Sequence, residues 1–240
     1  MNRIEIDKLT KYYGERLVLD GIDLSVAPHE VVCLIGASGS GKSTLLRIVG
    51  GLDAPTTGAV TIDDRVVTGI DDRIAIGFQE PRLLPWRTVA DNVAYGLPAG
   101  IAKDAGRARV AALLELVGLA EFADHRPRAI SGGMAQRTSL ARALARDPGV
   151  LLLDEPFGAL DALTRMRMQD LLLGVLDTAP TTVLLVTHDV EEALQVADRV
   201  VLLGADPDRA GARIQQIVTV PGERPRDRGS AELAELRDDL

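Results

Sequence analysis

The chain has 240 residues, enough for one large domain or two small ones with a substantial core. Its 46% hydrophobic, 26% charged and 3% aromatic composition is ordinary for a globular α/β protein, and its formal net charge of −8 argues against non-specific binding to nucleic acid or anionic lipid. No stretch reaches the roughly 18 apolar residues of a membrane span, and a single cysteine, Cys33, allows no disulfide framework.

The N-terminal MNRIEIDKLT lacks the basic and then apolar blocks of a signal peptide, so a cytoplasmic chain is expected, touching a membrane only through a protein partner. Ile4 and Ile6, then Ile22, Leu24 and Val26, alternate with polar neighbours as short strands do, with Gly14, Gly21 and Pro28 as punctuation. Val31 to Ile35 is a continuous apolar strand in which Cys33 reads as a small buried hydrophobe. A glycine-rich loop follows, and Ser43 to Val49 has helical character. After a strand at Ile74 to Phe78, residues from about 80 to 147 read as mostly helical, with Ala111, Leu113, Leu114, Leu116 and Val117 as one apolar face. Strands at Val150–Leu153, Thr182–Thr187 and Arg199–Leu203 then alternate with helices near 162–176 and 190–197. That alternation predicts an α/β fold with a mainly parallel sheet. The tail, 205–240, holds one further strand near Ile214 to Val220 and a short helix after Ser230.

The strongest motif is Gly36-Ala37-Ser38-Gly39-Ser40-Gly41-Lys42-Ser43, followed by Thr44, between a strand and a helix. This P-loop pattern lets backbone N–H groups and a helix N-terminus face phosphate oxygens. Lys42 would reach the β- and γ-phosphates and Ser43 the Mg²⁺ ion. Leu151 to Glu155 is an apolar strand ending in two carboxylates: Asp154 to hold the metal through water and Glu155 to polarise the attacking water. Taken alone, that pair also fits the acidic first turn of a helix. Ser131-Gly132-Gly133 opens a helix and suits a second phosphate-binding helix end, although an ordinary capped helix fits as well. Because the chain already has one P-loop, such a second site would serve the ATP of another copy. Arg137, Arg142 and Arg146 read as a solvated helix face, and His29 as a solvated turn residue.

Together these motifs resemble the ABC-transporter ATPases over about residues 3 to 203. The order is the family's: the P-loop, Gln79, Ser131 to Arg137, Leu151 to Pro156, Gly158 to Asp161, and Thr187-His188-Asp189. The resemblance implies an ABC cassette with an N-terminal antiparallel β part. Residues 1–79 and 148–204 would form a nucleotide-binding core, and about 80–147 a helical subdomain. It also implies that Tyr13 stacks on adenine, and that Gln79 senses Mg²⁺ and water and links to the membrane subunit. Ser131, Gly132 and Gly133 would touch the γ-phosphate across a head-to-tail dimer, Asp161 would line its seam, and His188 would orient γ-phosphate and water. Ile130 and Met134 depart from the outer residues of the family's usual Leu-Ser-Gly-Gly-Gln, and His29 stands where the family often has glycine.

Arg82 to Trp86, Asp91-Asn92-Val93, Met134 and the run Asp154 to Arg165 look like the nitrate, sulfonate and taurine importers, and Thr164 to Asp170 with the tail from Ile217 to Leu236 look most like the aliphatic sulfonate import ATPases. The implied partners are a second copy, transmembrane permease subunits and, indirectly, an extracytoplasmic solute-binding protein, with no nucleic acid. The implied place is the cytoplasmic face of the membrane, held there by the permease. A soluble ABC ATPase acting on DNA or ribosomes is disfavoured by the single cassette and the negative charge. A catalytically dead cassette is disfavoured by intact Lys42, Asp154, Glu155 and His188.

Overall fold

The computed structural model describes residues 2–179, 181–206 and 209–240; positions 1, 180, 207 and 208, the last two in the expected tail, lie outside the described residues. The chain opens with a long hairpin, β1 (Ile4–Tyr13) and β2 (Arg16–Val26). Gly14 makes its turn at φ 59°. Gly21, expected to end a strand, instead sits inside β2, where a left-handed φ of 61° is absorbed without breaking the strand. β3 (Val31–Ile35) and α1 (Lys42–Val49) flank the glycine-rich loop, and β4 (Thr57–Ile62), β5 (Arg65–Val66) and β6 (Ile74–Gly77) follow. Next come α2 (Val89–Ala94), α3 (Lys103–Leu116) and α4 (Gly132–Ala145). Then β7 (Val150–Asp154), α5 (Ala162–Thr178), β8 (Thr182–Val186), α6 (Val190–Val196), β9 (Arg199–Asp206), β10 (Arg209–Thr219) and α7 (Ala231–Asp238) complete the order.

The strands join one sheet in the order β5-β4-β1-β2-β10-β9-β3-β8-β7-β6. From β9 through β6 every pairing is parallel; β1, β2, β4 and β5 pair antiparallel with one another, and β10 joins the two parts, antiparallel to β9 and parallel to β2. Both faces of the parallel part are covered, which is why its strands read as unbroken apolar runs. Val31, Cys33 and Ile35 point with Leu151, Leu153, Val183 and Leu185 into a core shared with the helices after β6. Val32, Leu34, Val150, Leu152, Leu184 and Val186 point the other way, against α1 and the N-terminal hairpin. Each such aliphatic side chain contributes about 1.5–3 kcal/mol relative to exposure.

The segment from 80 to 147 is helical as expected, but two details of its reading are corrected. On α3 and just beyond it, Val110, Leu113, Leu114 and Val117 turn inward, while Ala111 and Leu116 are exposed. The inward set follows the i, i+3, i+4, i+7 spacing of one face, and the other two fall outside it. Arg137, Arg142 and Arg146 do not form a solvated face. Arg137 donates to Val117 O (2.7 Å), Arg142 to Pro81 O (2.7 Å) and Arg82 O (3.0 Å), and Arg146 to Asp72 O (3.1 Å). Burial lowers the pKa of the Arg137 and Arg142 guanidinium groups. The three arginines tie α4 to the loops before it.

The tail closes back on the domain. Leu233 of α7 is buried, Arg237 pairs with Glu191 of α6 at 3.0 Å, and Arg228 pairs with Asp170 of α5 at 3.2 Å. No helix among the described residues is long and apolar enough to cross a membrane.

Candidate nucleotide site at the strand ends

Four adjacent parallel strands, β3, β8, β7 and β6, end at the same edge because their registers match. Leu34 pairs with Val186, Val186 with Asp154, and Leu153 with Gly77. The next residues of each strand therefore meet in one crevice, where parallel sheets bind ligands. From β3 comes the glycine loop, from β8 His188, from β7 Glu155 and from β6 Gln79. A cleft of about 600 Å³ is lined by Ser38, Gly39, Gly41, Lys42, Ser43, Thr44, Gln79, Glu155 and His188, with Tyr13, Arg16 and Val18 from the hairpin.

The loop needs glycine where it closely approaches neighbouring strands. At Gly36, with φ 146°, an added Cβ would lie 2.0 Å from Leu203 O. Gly41 adopts φ 89° as the N-cap of α1, and a Cβ there would meet Leu19 Cδ2 at 2.7 Å. Lys42 Nζ donates to Gly36 O (2.8 Å) and Ala37 O (2.9 Å), which places the ammonium inside the loop. Burial lowers its pKa, and the nearby Glu155 and Asp154 charges oppose that shift. Ser40 does not line the cleft, and its N–H is bonded to Ala37 O at 3.1 Å within the loop.

The Ser43 hydroxyl donates to Asp154 Oδ1 at 3.0 Å. Burial raises the pKa of the Asp154 carboxyl, the Ser43 bond partly offsets this, and the Glu155 charge adds to it. Glu155 follows in the left-handed region at φ 46°, its N–H bonded to Val186 O at 2.8 Å. That turn brings Glu155 Oε2 within 2.8 Å of Gln79 Nε2 and 3.4 Å of His188 Nδ1. The His188 side chain is 65% exposed and faces the cleft.

Tyr13 ends β1 at the rim. Its hydroxyl donates to Asp53 Oδ2 at 2.5 Å, and Lys11 Nζ lies 4.7 Å from its ring centroid while bonding Asp53 Oδ1 at 2.6 Å. The Asp53 bond raises the phenol pKa; Lys11, then Tyr13, lower that of Asp53. Arg16, Val18 and Asp53 were not singled out in the sequence. The hairpin pairing of Tyr13 with Arg16 is the signal that could have found Arg16.

Ser131, Gly132, Gly133 and Asp161 do not line this cleft. Ser131 caps α4 by accepting Met134 N–H at 3.3 Å. A Cβ at Gly132 would meet nothing within 4 Å, so this chain's own packing does not call for glycine there. Asp161 is exposed and caps α5 through Thr164 N–H, the bond that chiefly lowers its pKa. His29 adopts φ 66°, which accounts for a glycine being at home in that turn.

The ABC transporter family model matches residues 19–158. The chain belongs to the ABC transporter family. A relative from Xanthomonas axonopodis pv. citri, "Aliphatic sulfonates import ATP-binding protein SsuB 1", is 50% identical over 96% of this chain and 91% of its own. One of the same name from Pseudomonas aeruginosa is 49% identical over 98% of this chain and 93% of its own. Among solved structures, the ATP-binding cassette MJ0796, a dimer in a post-hydrolysis state bound to ADP and Pi, matches with TM-score 0.80 and 32% identity. That match covers 92% of this chain and all of the other. The fold is therefore an ABC cassette, and the chain is an ATP-binding, ATP-hydrolysing subunit.

Proposed function

We propose that the chain drives an importer of aliphatic sulfonates, binding Mg-ATP in the strand-end cleft and hydrolysing it with Glu155 as base. The observation that carries the chemistry is Glu155 Oε2, held between Gln79 and His188 at one end of the phosphate loop. The reading of the cargo rests on identity of about half over nearly the whole chain to relatives named for that import.

On this reading Tyr13, fixed by Asp53, stacks on adenine beside Val18. Lys42 exchanges the carbonyls of Gly36 and Ala37 for β- and γ-phosphate oxygens, and the loop N–H groups bind the rest. Gln79 and His188 orient the attacking water. Its oxygen bonds to the γ-phosphorus as the bond to ADP breaks, and its proton passes to Glu155. Mg²⁺ fits the hard-oxygen pair of Ser43 and Asp154, together with Gln79. A cation would offset the cost of burying the Asp154 charge, and Mg²⁺ habitually completes its shell with phosphate and water. Among the described residues no cluster of three His, Cys, Asp or Glu would hold a metal unaided. When bound, the ion neutralises phosphate charge in the transition state.

The helix start at Ser131 to Gly133, with Asp161, serves the ATP of a second copy in a head-to-tail dimer. The permease docks beside Gln79, where Trp86 is 67% exposed on the loop 83–88. Buried Asn92 stiffens that loop, accepting Leu84 N–H at 2.8 Å and donating to Leu84 O (3.2 Å) and Thr88 O (2.8 Å). On this reading the chain sits peripherally at the cytoplasmic face, held by the permease, and an extracytoplasmic solute-binding protein supplies cargo. The test is ATP hydrolysis by the assembled importer in vesicles, with the binding protein offered an alkanesulfonate, taurine or nitrate. Stimulation by the alkanesulfonate is expected; stimulation by nitrate alone would overturn the cargo assignment.

A further inference from the structure

His188 is the one exposed side chain in a short segment that is fastened on both sides. Thr187, 1% exposed, bonds through its N–H to Leu34 O of β3 at 3.1 Å. Its hydroxyl accepts Asp189 N–H at 3.1 Å and donates to Glu192 Oε2. Asp189 caps α6 by accepting Glu192 N–H at 3.1 Å, and its other oxygen pairs with Arg165 of α5 at 3.1 Å. Glu192 is 4% exposed and does not line the nucleotide cleft. Burial raises its pKa, the Thr187 bond counters that shift, and the Asp189 charge adds to it. A buried carboxyl is costly to keep, and a leucine or methionine would pack an amphipathic helix at less expense.

We infer that Glu192 is a positioning residue for hydrolysis: by orienting the Thr187 hydroxyl toward Asp189 N–H, it holds the backbone on either side of His188. A hydroxyl has one hydrogen, so giving it to Glu192 leaves the oxygen lone pairs for Asp189 N–H. Without that acceptor the hydroxyl is free to rotate, and the turn that carries His188 loses its anchor to α6. The inference rests on the role proposed above for His188.

The purified chain, with the variants Glu192→Ala, Glu192→Gln, Thr187→Val, Thr187→Ser, His188→Ala and Glu192→Ala/His188→Ala, tests it through kcat and KM for ATP. Glu192→Ala and Thr187→Val should each lower kcat by about 10- to 100-fold, the scale of a misplaced catalytic group, with KM changed less than about twofold. Glu192→Gln retains a carbonyl acceptor and Thr187→Ser retains the hydroxyl, so both should keep most of the parental rate. The double variant should be no slower than His188→Ala, because residues acting through one group are not additive. Thr187→Val cuts the same link from the other end, which keeps the test decisive if Glu192→Ala fails to fold. A slow His188→Ala beside near-parental kcat in Thr187→Val would overturn the link alone, as would a double variant slower by the full Glu192 factor. Parental turnover in His188→Ala would overturn the reading of His188 itself.

Discussion

The strand-end cleft and the start of α4 are built in different ways. At the strand ends the polar groups bond one another: Lys42 to the loop carbonyls, Ser43 to Asp154, Gln79 to Glu155. Their positions follow from strand register, and strong packing on both faces of the sheet fixes them. At the start of α4, Ser131 has only its own helix as partner, and Gly132 meets nothing. This chain's own packing therefore does not require glycine at that position. The first region is assembled by one chain; the second, on the reading proposed above, is completed by another copy.

Breaking the first region should have the largest effect. Glu155→Gln is expected to bind ATP as before and to hydrolyse it about 10²–10⁴ times more slowly, the weight of a general base; near-parental turnover in a steady-state assay would remove Glu155 from that role. Asp154→Asn should slow hydrolysis by ~10²-fold or more, since metal-assisted charge stabilisation supplies several kcal/mol. Without nucleotide it should melt at a higher temperature than the parent. The sign follows from linkage: a carboxyl whose pKa is raised on folding opposes folding when ionised, and the penalty fades as pH falls through that raised pKa. The melting difference should therefore be largest near neutral pH and shrink toward pH 4. A difference independent of pH would mean the gain comes from something other than charge.

The second region is sharpened by Gly132→Ala in the Glu155→Gln background. The monomer should be as stable as the parent or more so by up to ~1 kcal/mol. Sedimentation should show the parent background dimeric in ATP and monomeric in ADP, with the alanine weakening only the ATP dimer. Equal mass in both nucleotides would count against a shared site. The smallest effect on the isolated chain belongs to Trp86→Ala, whose ring is mostly in solvent. Its melt and its ATPase activity should match the parent, while co-purification with the permease falls, by about 30-fold in affinity if Trp86 is an anchor worth 2 kcal/mol.

The parallel strands and their catalytic ends were legible in the sequence because burial on both faces makes each an apolar run, and the chemistry sits just beyond it. The hairpin was less legible. β1 and β2 slip register near Leu9 and Lys11, which breaks the period-two pattern. Tyr13 could be placed by resemblance, but its partner Asp53 lies 40 positions away on a loop without a motif. The arginines of α4 were misread because charge spacing on a helix says nothing about carbonyls arriving from other segments. Gly132 was legible as a glycine, but that its own chain leaves open space for a side chain there is visible only in three dimensions.

The left-handed turn at Glu155 carries one further consequence, for how such a chain would decay. A bulky residue at φ 46° is disfavoured, whereas glycine or asparagine adopts that conformation readily. If transport were no longer required, drift would have a downhill path at this position: substitutions to glycine or asparagine would relax the backbone and leave the cassette folded. Loss of hydrolysis would then come before loss of structure. Folding alone gives no reason to keep a glutamate at this turn.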